Sequence, residues 1–228
     1  MNNKEFVEKL KAVANDYKTL YVMGCFGAPM NSANKTRYCN NYDYNKKESR
    51  AAMIKAASAD TFGFDCVCLI KGILWGWCGD KGKTYGGAVY ASNGVPDVSA
   101  DSMIQLCKNV STDFSSLAVG EALWINGHIG VYIGDGLAVE CTPNWKNGVQ
   151  ITAVGNLGAK SGYNTRKWTK HGKLPYIEYL KQTRAEEVAS YVEILRKAGV
   201  ISEVEKWKKK AADDEDIYWL LRKASAKV

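Results

Sequence analysis

The chain has 228 residues, 46% hydrophobic and 24% charged, and its 31 Lys plus Arg against 24 Asp plus Glu give a formal charge of +7. That composition excludes a disordered or collagen-like chain and is enough for a sizeable core. A charge of +7 without interleaved aromatics on a basic face is too mild for a nucleic-acid groove. Seven cysteines, an odd number, cannot all pair with one another. The start, Met1 to Phe6, has no apolar leader and charges recur from Lys4 to Lys18, so the expectation is synthesis in a cytoplasm without a signal peptide. Thiols made there are free, catalytic or metal-bound more often than disulfide-bonded. No 18 apolar residues run together, and the longest stretch, Val67 to Trp77, is broken by Lys71, so no membrane span is expected.

In chain order, Asn2 followed by Glu5 reads as a capping box, and Phe6, Leu10, Val13 and Ala14 repeat at helical spacing, which predicts a helix over residues 3–16. The polar stretch Asn31 to Arg50, with Tyr38, Tyr42 and Tyr44, reads as a long loop able to line or cover a groove. Ala51 to Ala57 reads as a short helix, and Gly63-Phe64-Asp65-Cys66 opens an apolar helix running to about Trp77. From Leu123 the period changes to two. Asn126-Gly127, Gly134-Asp135-Gly136 and Asn147-Gly148 punctuate strands at 122–125, 128–133, 137–142 and 149–154, an antiparallel meander, with a further strand near Lys173 to Ile177. Helices before a sheet predict an α+β fold.

Beyond Leu180 the pattern is helical again, with Val188, Tyr191, Val192 and Leu195 on one stripe and a stop at Gly199. Ser202 with Glu205 reads as a capping box, and Ile217, Leu220, Leu221 and Ala224 form another stripe behind the acids 213–216. The chain therefore divides into a main domain over 1–180 and a small helical region over 181–228. The second falls below the roughly 70–80 residues at which a core usually sustains itself, so it is expected to pack on the first or to form a homo-oligomer contact.

The residue types that carry chemistry are few. Cys66 stands at the start of a helix, where unsatisfied N–H groups and the positive dipole end lower a thiol pKa, to about 3.5–7.5 in reactive cases. The same N–H groups suit an oxyanion on an attacked carbonyl. His128, one of only two histidines, opens a strand and is the matching base. A third group must orient the imidazole. If Gly134-Asp135-Gly136 is a three-residue hairpin loop, Glu140 faces Gly130 and lies diagonally from His128 on one sheet face, at about 7–8 Å, within side-chain reach. A two-residue loop would put Glu140 opposite Val131, on the wrong face. Gln150 on the next strand is the alternative orienter.

These residues carry a resemblance. Phe64-Asp65-Cys66, then His128-Ile129-Gly130-Val131-Tyr132-Ile133-Gly134-Asp135-Gly136 with an acid twelve after the His, resembles the NlpC-like family of papain-fold peptidoglycan cysteine peptidases. Leu20-Tyr21-Val22-Met23-Gly24-Cys25 is similar to that family's tyrosine-containing segment, and the likeness covers roughly residues 5 to 178. The resemblance implies a papain-like half, with Cys66 as nucleophile, His128 as base, Glu140 as orienter, and Tyr21, Asp65 and Val67 in the substrate-binding or oxyanion region. It also implies a hydrolase cutting an amide bond of bacterial peptidoglycan, without a cofactor. That bond is γ-D-glutamyl to diamino acid or, alternatively, muramoyl to L-alanine. Relatives that cut freed fragments usually follow Asp-Cys with Ser, where this chain has Val67 and Cys68, which turns the expectation toward an endolysin of phage or prophage type that reaches the wall after release.

Competing readings remain for several residues. Cys66 could be a buried core thiol, and the whole could be a non-catalytic wall-binding or phage structural protein with a vestigial site. Cys68, Cys78, Cys107 and Cys141 read as packing residues, and Cys25 and Cys39 as loop or cleft thiols. The Cys66-x-Cys68 spacing is wrong for zinc and His171 reads as part of a basic turn, so no metal site is expected. Trp75 and Trp77 read as core. Lys206, Lys208, Lys209 and Lys210 around Trp207 read as a solvated helix face, with binding of wall polymer by residues 181–228, or an oligomer contact there, as the sharper alternative.

Overall fold

The structure is a computed structural model that describes residues 1–181 and 183–227. Residues Met1–Tyr179 form one unit and Leu180–Val228 a second. The first unit is α+β. Its first helix, α1 (Asn3–Asp16), is closed by the expected capping box: Asn2 Oδ1 accepts from Glu5 N at 2.9 Å and Glu5 Oε2 accepts from Asn2 N at 3.1 Å. Phe6, Leu10 and Val13 on its inner stripe are fully buried.

Two sheets follow. Strands β1 (Thr19–Tyr21), β2 (Phe26–Pro29) and β3 (Phe62–Phe64) make a small sheet in the order β1-β3-β2, with β1 parallel to β3. Between β2 and β3 the chain is not the long loop expected from its polarity. It forms three short helices, α2 (Ser32–Asn41), α3 (Asp43–Lys46) and α4 (Glu48–Ala56). The reason is that amide side chains supplement a thin apolar face made by the buried Tyr38, Cys39 and Ile54. Asn31 caps α2 by accepting from Asn34 N at 3.0 Å. The fully buried Asn45 accepts from Met23 N and donates to the carbonyls of Met23 and Tyr38 at 3.0–3.1 Å. These bonds satisfy backbone groups that a polar loop would have left to water.

Apart from Lys71, helix α5 (Cys66–Leu74) is apolar, and all nine of its residues are buried, as a helix without an exposed polar face must be. It stops three residues short of the expected Trp77, because Gly76 turns into left-handed backbone at φ 91°. The indoles of Trp75 and Trp77 then point into the core and donate to Val95 O and Gly27 O, each at 2.9 Å. Helix α6 (Ala100–Leu106) and a 3₁₀ turn at Phe114–Ser116 lead into the large sheet.

That sheet contains β4 (Lys108–Ser111), β5 (Ala122–Ile125), β6 (His128–Gly134), β7 (Leu137–Thr142), β8 (Gly148–Val154), β9 (Thr165–Arg166) and β10 (Lys170–Lys173), in the order β4-β10-β5-β6-β7-β8-β9. The meander from β5 to β8 is antiparallel, as its period-two pattern predicts. The last strand of the expected set lies at Lys170–Lys173 instead of 173–177, where Pro175 cannot donate to a ladder. His171 is consequently not in a basic turn. It is buried in β10, with Nδ1 2.5 Å from Glu121 Oε2 and Nε2 2.8 Å from Asp113 O.

The β6–β7 hairpin resolves the loop question in an unexpected way. Asp135 and Gly136 both have positive φ, at 53° and 72°, so the loop is of two residues, and Gly134 pairs with Leu137. A register shift at Ile133 then adds the missing residue, and from Tyr132↔Ala138 onward the pairing is the one a three-residue loop would give. Glu140 faces Gly130.

The second unit holds α7 (Arg184–Lys197), α8 (Val204–Asp213) and α9 (Glu215–Ser225) around its own cluster of Val188, Val192, Leu195, Ala211, Tyr218 and Leu221. Gly199 adopts φ 72° just after α7, as expected of a stop. The expected Ser202–Glu205 box is not made, since Glu203 occupies the N-cap of α8 without a side-chain bond; Thr183 and Glu186 make one at α7 instead. Leu220 is exposed and Tyr218 takes its place on the buried stripe of α9. Lys206 and Lys208 pair with Glu203 and Glu205 on an exposed helix face. Among the described residues no helix is long and apolar enough to cross a membrane.

Gly130 is the test of this packing. A Cβ there would lie 2.9 Å from Trp168 Cη2, 3.0 Å from Val139 O and 3.2 Å from Glu140 Cβ. Gly130→Ala is expected to destabilise the protein by about 1–3 kcal/mol, read from its denaturation midpoint, because a strand carbonyl cannot move aside.

Candidate active site

The nucleophile candidate is placed by the β3–α5 junction. Asp65 is the N-cap of α5, its Oδ1 accepting from Cys68 N and its Oδ2 from Gly24 N, both at 2.7 Å. With both oxygens taken by backbone, Asp65 ties the helix start to the turn after β1. Gly24 is required in that turn, because its φ is 76° and a Cβ would enter the Tyr42 ring. Cys66 is therefore the first residue of a fixed helix, only 7% exposed.

The base candidate comes from the neighbouring sheet. The backbone N–H of Ile129, the residue after His128, together with those of Val67 and of Cys66 itself, acts to lower the Cys66 thiol pKa. His128 Nε2 lies 2.7 Å from Glu140 Oε2, so Nδ1 is the nitrogen left for other work. The Trp168 ring stacks on the imidazole, with centroids 5.6 Å apart and planes 11° apart.

Glu140 is fully buried and meets three side chains. Thr152 Oγ1 donates to Oε1 at 2.7 Å, while Oε2 takes His128 and also Arg166 Nε, each at 2.7 Å. Burial by itself pushes the Glu140 carboxyl up, but the bond from His128, the nearby charges of His128 and Arg166, and the Thr152 hydroxyl outweigh it and hold the group below the ordinary glutamate range. Gln150, the alternative orienter, stands across the ladder from Glu140 but turns away, donating to Asn144 O and Gly148 O.

Arg166 and Trp168 are the residues that sequence reasoning missed. Both lie in a short, irregular stretch around β9, and no motif marks them. The only available signal was that a buried carboxylate requires a cation, and Arg166 is one of several in the right half of the chain. Its guanidinium sits between Trp145, at 4.9 Å, and Trp168, at 5.6 Å.

A cleft of about 800 Å³ opens over Cys66, lined by Tyr21, Asp65 and Val67 among others, with Gly127, next to His128, in its wall. Tyr21 is buried against Tyr44 at 5.7 Å and beneath the Arg50 guanidinium at 5.6 Å. Burial raises its phenol well above the usual range, and the neighbouring Cys66 and Asp65 act in the same direction, so it faces the cleft as a neutral hydroxyl. Tyr38 and Tyr42 also line the cleft, from α2 and from the residue before α3.

The thiol itself departs from the sequence expectation. Burial, followed by the Asp65 carboxylate, pushes the Cys66 thiol up to about 12, and the three N–H groups offset only part of this. The helix-terminus argument supplied the stabilising N–H groups but not the desolvation that exceeds them. All seven cysteines are free. Cys68, Cys107 and Cys141 are buried as expected, whereas Cys78 is exposed. Cys25 lies in a turn yet is fully buried, and Cys39 is a buried residue of α2, so neither is a cleft thiol. Among the described residues no group of three or more His, Cys, Asp or Glu is placed to hold a metal ion.

Two measurements follow from this geometry. Iodoacetamide at neutral pH should label exposed Cys78 before Cys66, and the Cys66 rate should keep climbing as pH rises toward about 12; a Cys66 rate already at its plateau near neutrality would contradict the desolvated thiol. Because the folded Glu140 carboxyl is depressed, its contribution is present above the unfolded value of about 4.3 and is lost as pH falls through the folded one. Arg166→Met removes part of what depresses it, so the acid-unfolding midpoint, followed by circular dichroism, should move to higher pH. Compared with known protein families and with characterised proteins, the chain matches none.

Proposed function

We propose that the first unit is a cysteine hydrolase of the papain-like, NlpC type that cuts an amide bond in bacterial peptidoglycan, with the γ-D-glutamyl to diamino acid bond as its target. The observation that carries this reading is the 2.7 Å bond from His128 Nε2 to a buried, ionised Glu140, in a strand whose Ile129 N–H acts on the helix-terminal Cys66 thiol. A carboxylate on Nε2 fixes the tautomer and leaves Nδ1 as the proton acceptor.

In this reading the resting thiol is neutral. His128 Nδ1 takes its proton as sulfur attacks the carbonyl carbon, and the carbonyl oxygen becomes an oxyanion facing the N–H groups at the start of α5. Collapse breaks the C–N bond, with the leaving amine taking the proton from His128, and a thioester remains. Water then attacks the thioester with His128 again as base, releasing the acid and the thiol. Glu140 stabilises the imidazolium in both halves.

A second reading, a wall-binding protein with a vestigial site, is favoured by one observation: the thiol is pushed up to about 12. Lysis of purified peptidoglycan separates the two. Cys66→Ala should fold as the parent does and lose lysis down to background, and His128→Ala should lower the rate by about 10²–10⁴-fold. Undiminished lysis by Cys66→Ala, or none by the parent, would overturn the hydrolase reading. Mass spectrometry of the fragments names the bond, with new muramoyl ends pointing to an amidase.

A further inference from the structure

The charged side chains that line the cleft differ in how far they are already committed. Asp65 is consumed by two backbone N–H groups. Lys71 is buried, ion-paired with Asp97 and donates to Val98 O at 3.0 Å, while the other Asp97 oxygen accepts from the Tyr90 hydroxyl at 2.8 Å. Asp101 accepts from Trp124 Nε1 at 2.8 Å and from Gly127 N at 2.9 Å. Arg37 alone among the cleft's cations has no carboxylate partner among the described residues.

The residue is exposed, but its guanidinium rests on aromatic neighbours. Its guanidinium carbon lies 5.2 Å from the Tyr85 ring centroid and 5.9 Å from that of Tyr38, and Nη1 donates to the Tyr85 hydroxyl. Tyr38 is buried, and Tyr85 packs on Phe26 at 4.5 Å, whose ring in turn meets Trp75 at 5.1 Å. The platform under the guanidinium is thus continuous with the core. A planar cation resting against two rings, with Nη2 and Nε donors that have no partner among the described residues, matches the two oxygens of a carboxylate. Because its conformation is set beforehand, little freedom is lost on binding.

We propose that Arg37 is a specificity-determining residue that binds a free carboxylate of the stem peptide, so that the protein takes carboxylate-bearing peptides and rejects their carboxamide forms. This rests on the peptidoglycan reading above. Around a γ-D-glutamyl to diamino acid bond there are two such groups, the α-carboxylate of the glutamyl residue and the carboxylate of the diamino acid, and the chemistry recognised is the same for both.

The test is calorimetric binding to the full chain carrying Cys66→Ala, which cannot turn the ligand over. Three synthetic peptides are compared: one with both carboxylates free, one amidated at the glutamyl residue and one amidated at the diamino acid. One amidated peptide should bind about 10- to 100-fold more weakly than the free one, as expected for a hydrogen-bonded charge pair, and that arm names the carboxylate. Adding Arg37→Met should erase the difference, while Arg37→Lys, which keeps charge without the fork, should retain part of it. Equal affinity for all three peptides, no binding to any, or a preference that survives Arg37→Met would overturn the proposal. Failure of the hydrolase reading looks different: the parent would cut no wall while the Arg37-dependent preference persisted.

Discussion

A carboxylate with no exposed surface has to be held by charge and hydrogen bonds, and the way Glu140 meets that condition organises this side of the large sheet. Its two oxygens take His128, Arg166 and Thr152 from three different strands, β6, β9 and β8. Remove the carboxylate and Arg166 loses its partner between two indoles, while the imidazole loses the bond that chooses its tautomer. Leaving one member of such a buried set unpaired typically costs about 3–5 kcal/mol, so the group is held together by mutual need. The stacked Trp168 ring fixes the plane of the imidazole that Glu140 fixes in direction.

Much of this was legible in the sequence because it depends on short-range rules. The capping box at Asn2 and Glu5, the period-two meander from 122 to 154 and the helix opening at Cys66 follow from local pattern and were placed nearly residue by residue. The facing of Glu140 and Gly130 was also readable, although by a route different from the real one: a two-residue turn plus a bulge at Ile133 has the same net register as a longer loop. Period-two arithmetic sees only that net register.

What could not be read depends on tertiary satisfaction. The helices α2 to α4 carry little apolar patterning, and they are held by Asn45 meeting the backbone of Met23, 22 residues away in the chain, and by Tyr38, Cys39 and Ile54 packing on Val22, Ala28 and Met30. The polar β10 is a strand because His171 finds Glu121, 50 residues away in the chain. The thiol of Cys66 is the sharpest case, since its dipole environment is local and was foreseen, whereas its burial is a property of the assembled core. On the hydrolase reading proposed above, a neutral resting thiol beside a pre-oriented imidazole means that the proton moves with the attack instead of before it. Such a thiol is also less exposed to adventitious alkylation.

The orientation of His128 is the most direct point of attack on this account. A ¹⁵N-resolved spectrum of the imidazole of the intact chain, followed through its titration, distinguishes the two nitrogens. The expected neutral form carries its proton on Nε2, hydrogen-bonded to Glu140, with Nδ1 bare, and replacing Glu140 by Gln should disturb that preference. A neutral form protonated on Nδ1, or an even mixture of tautomers unaffected by Glu140→Gln, would contradict it.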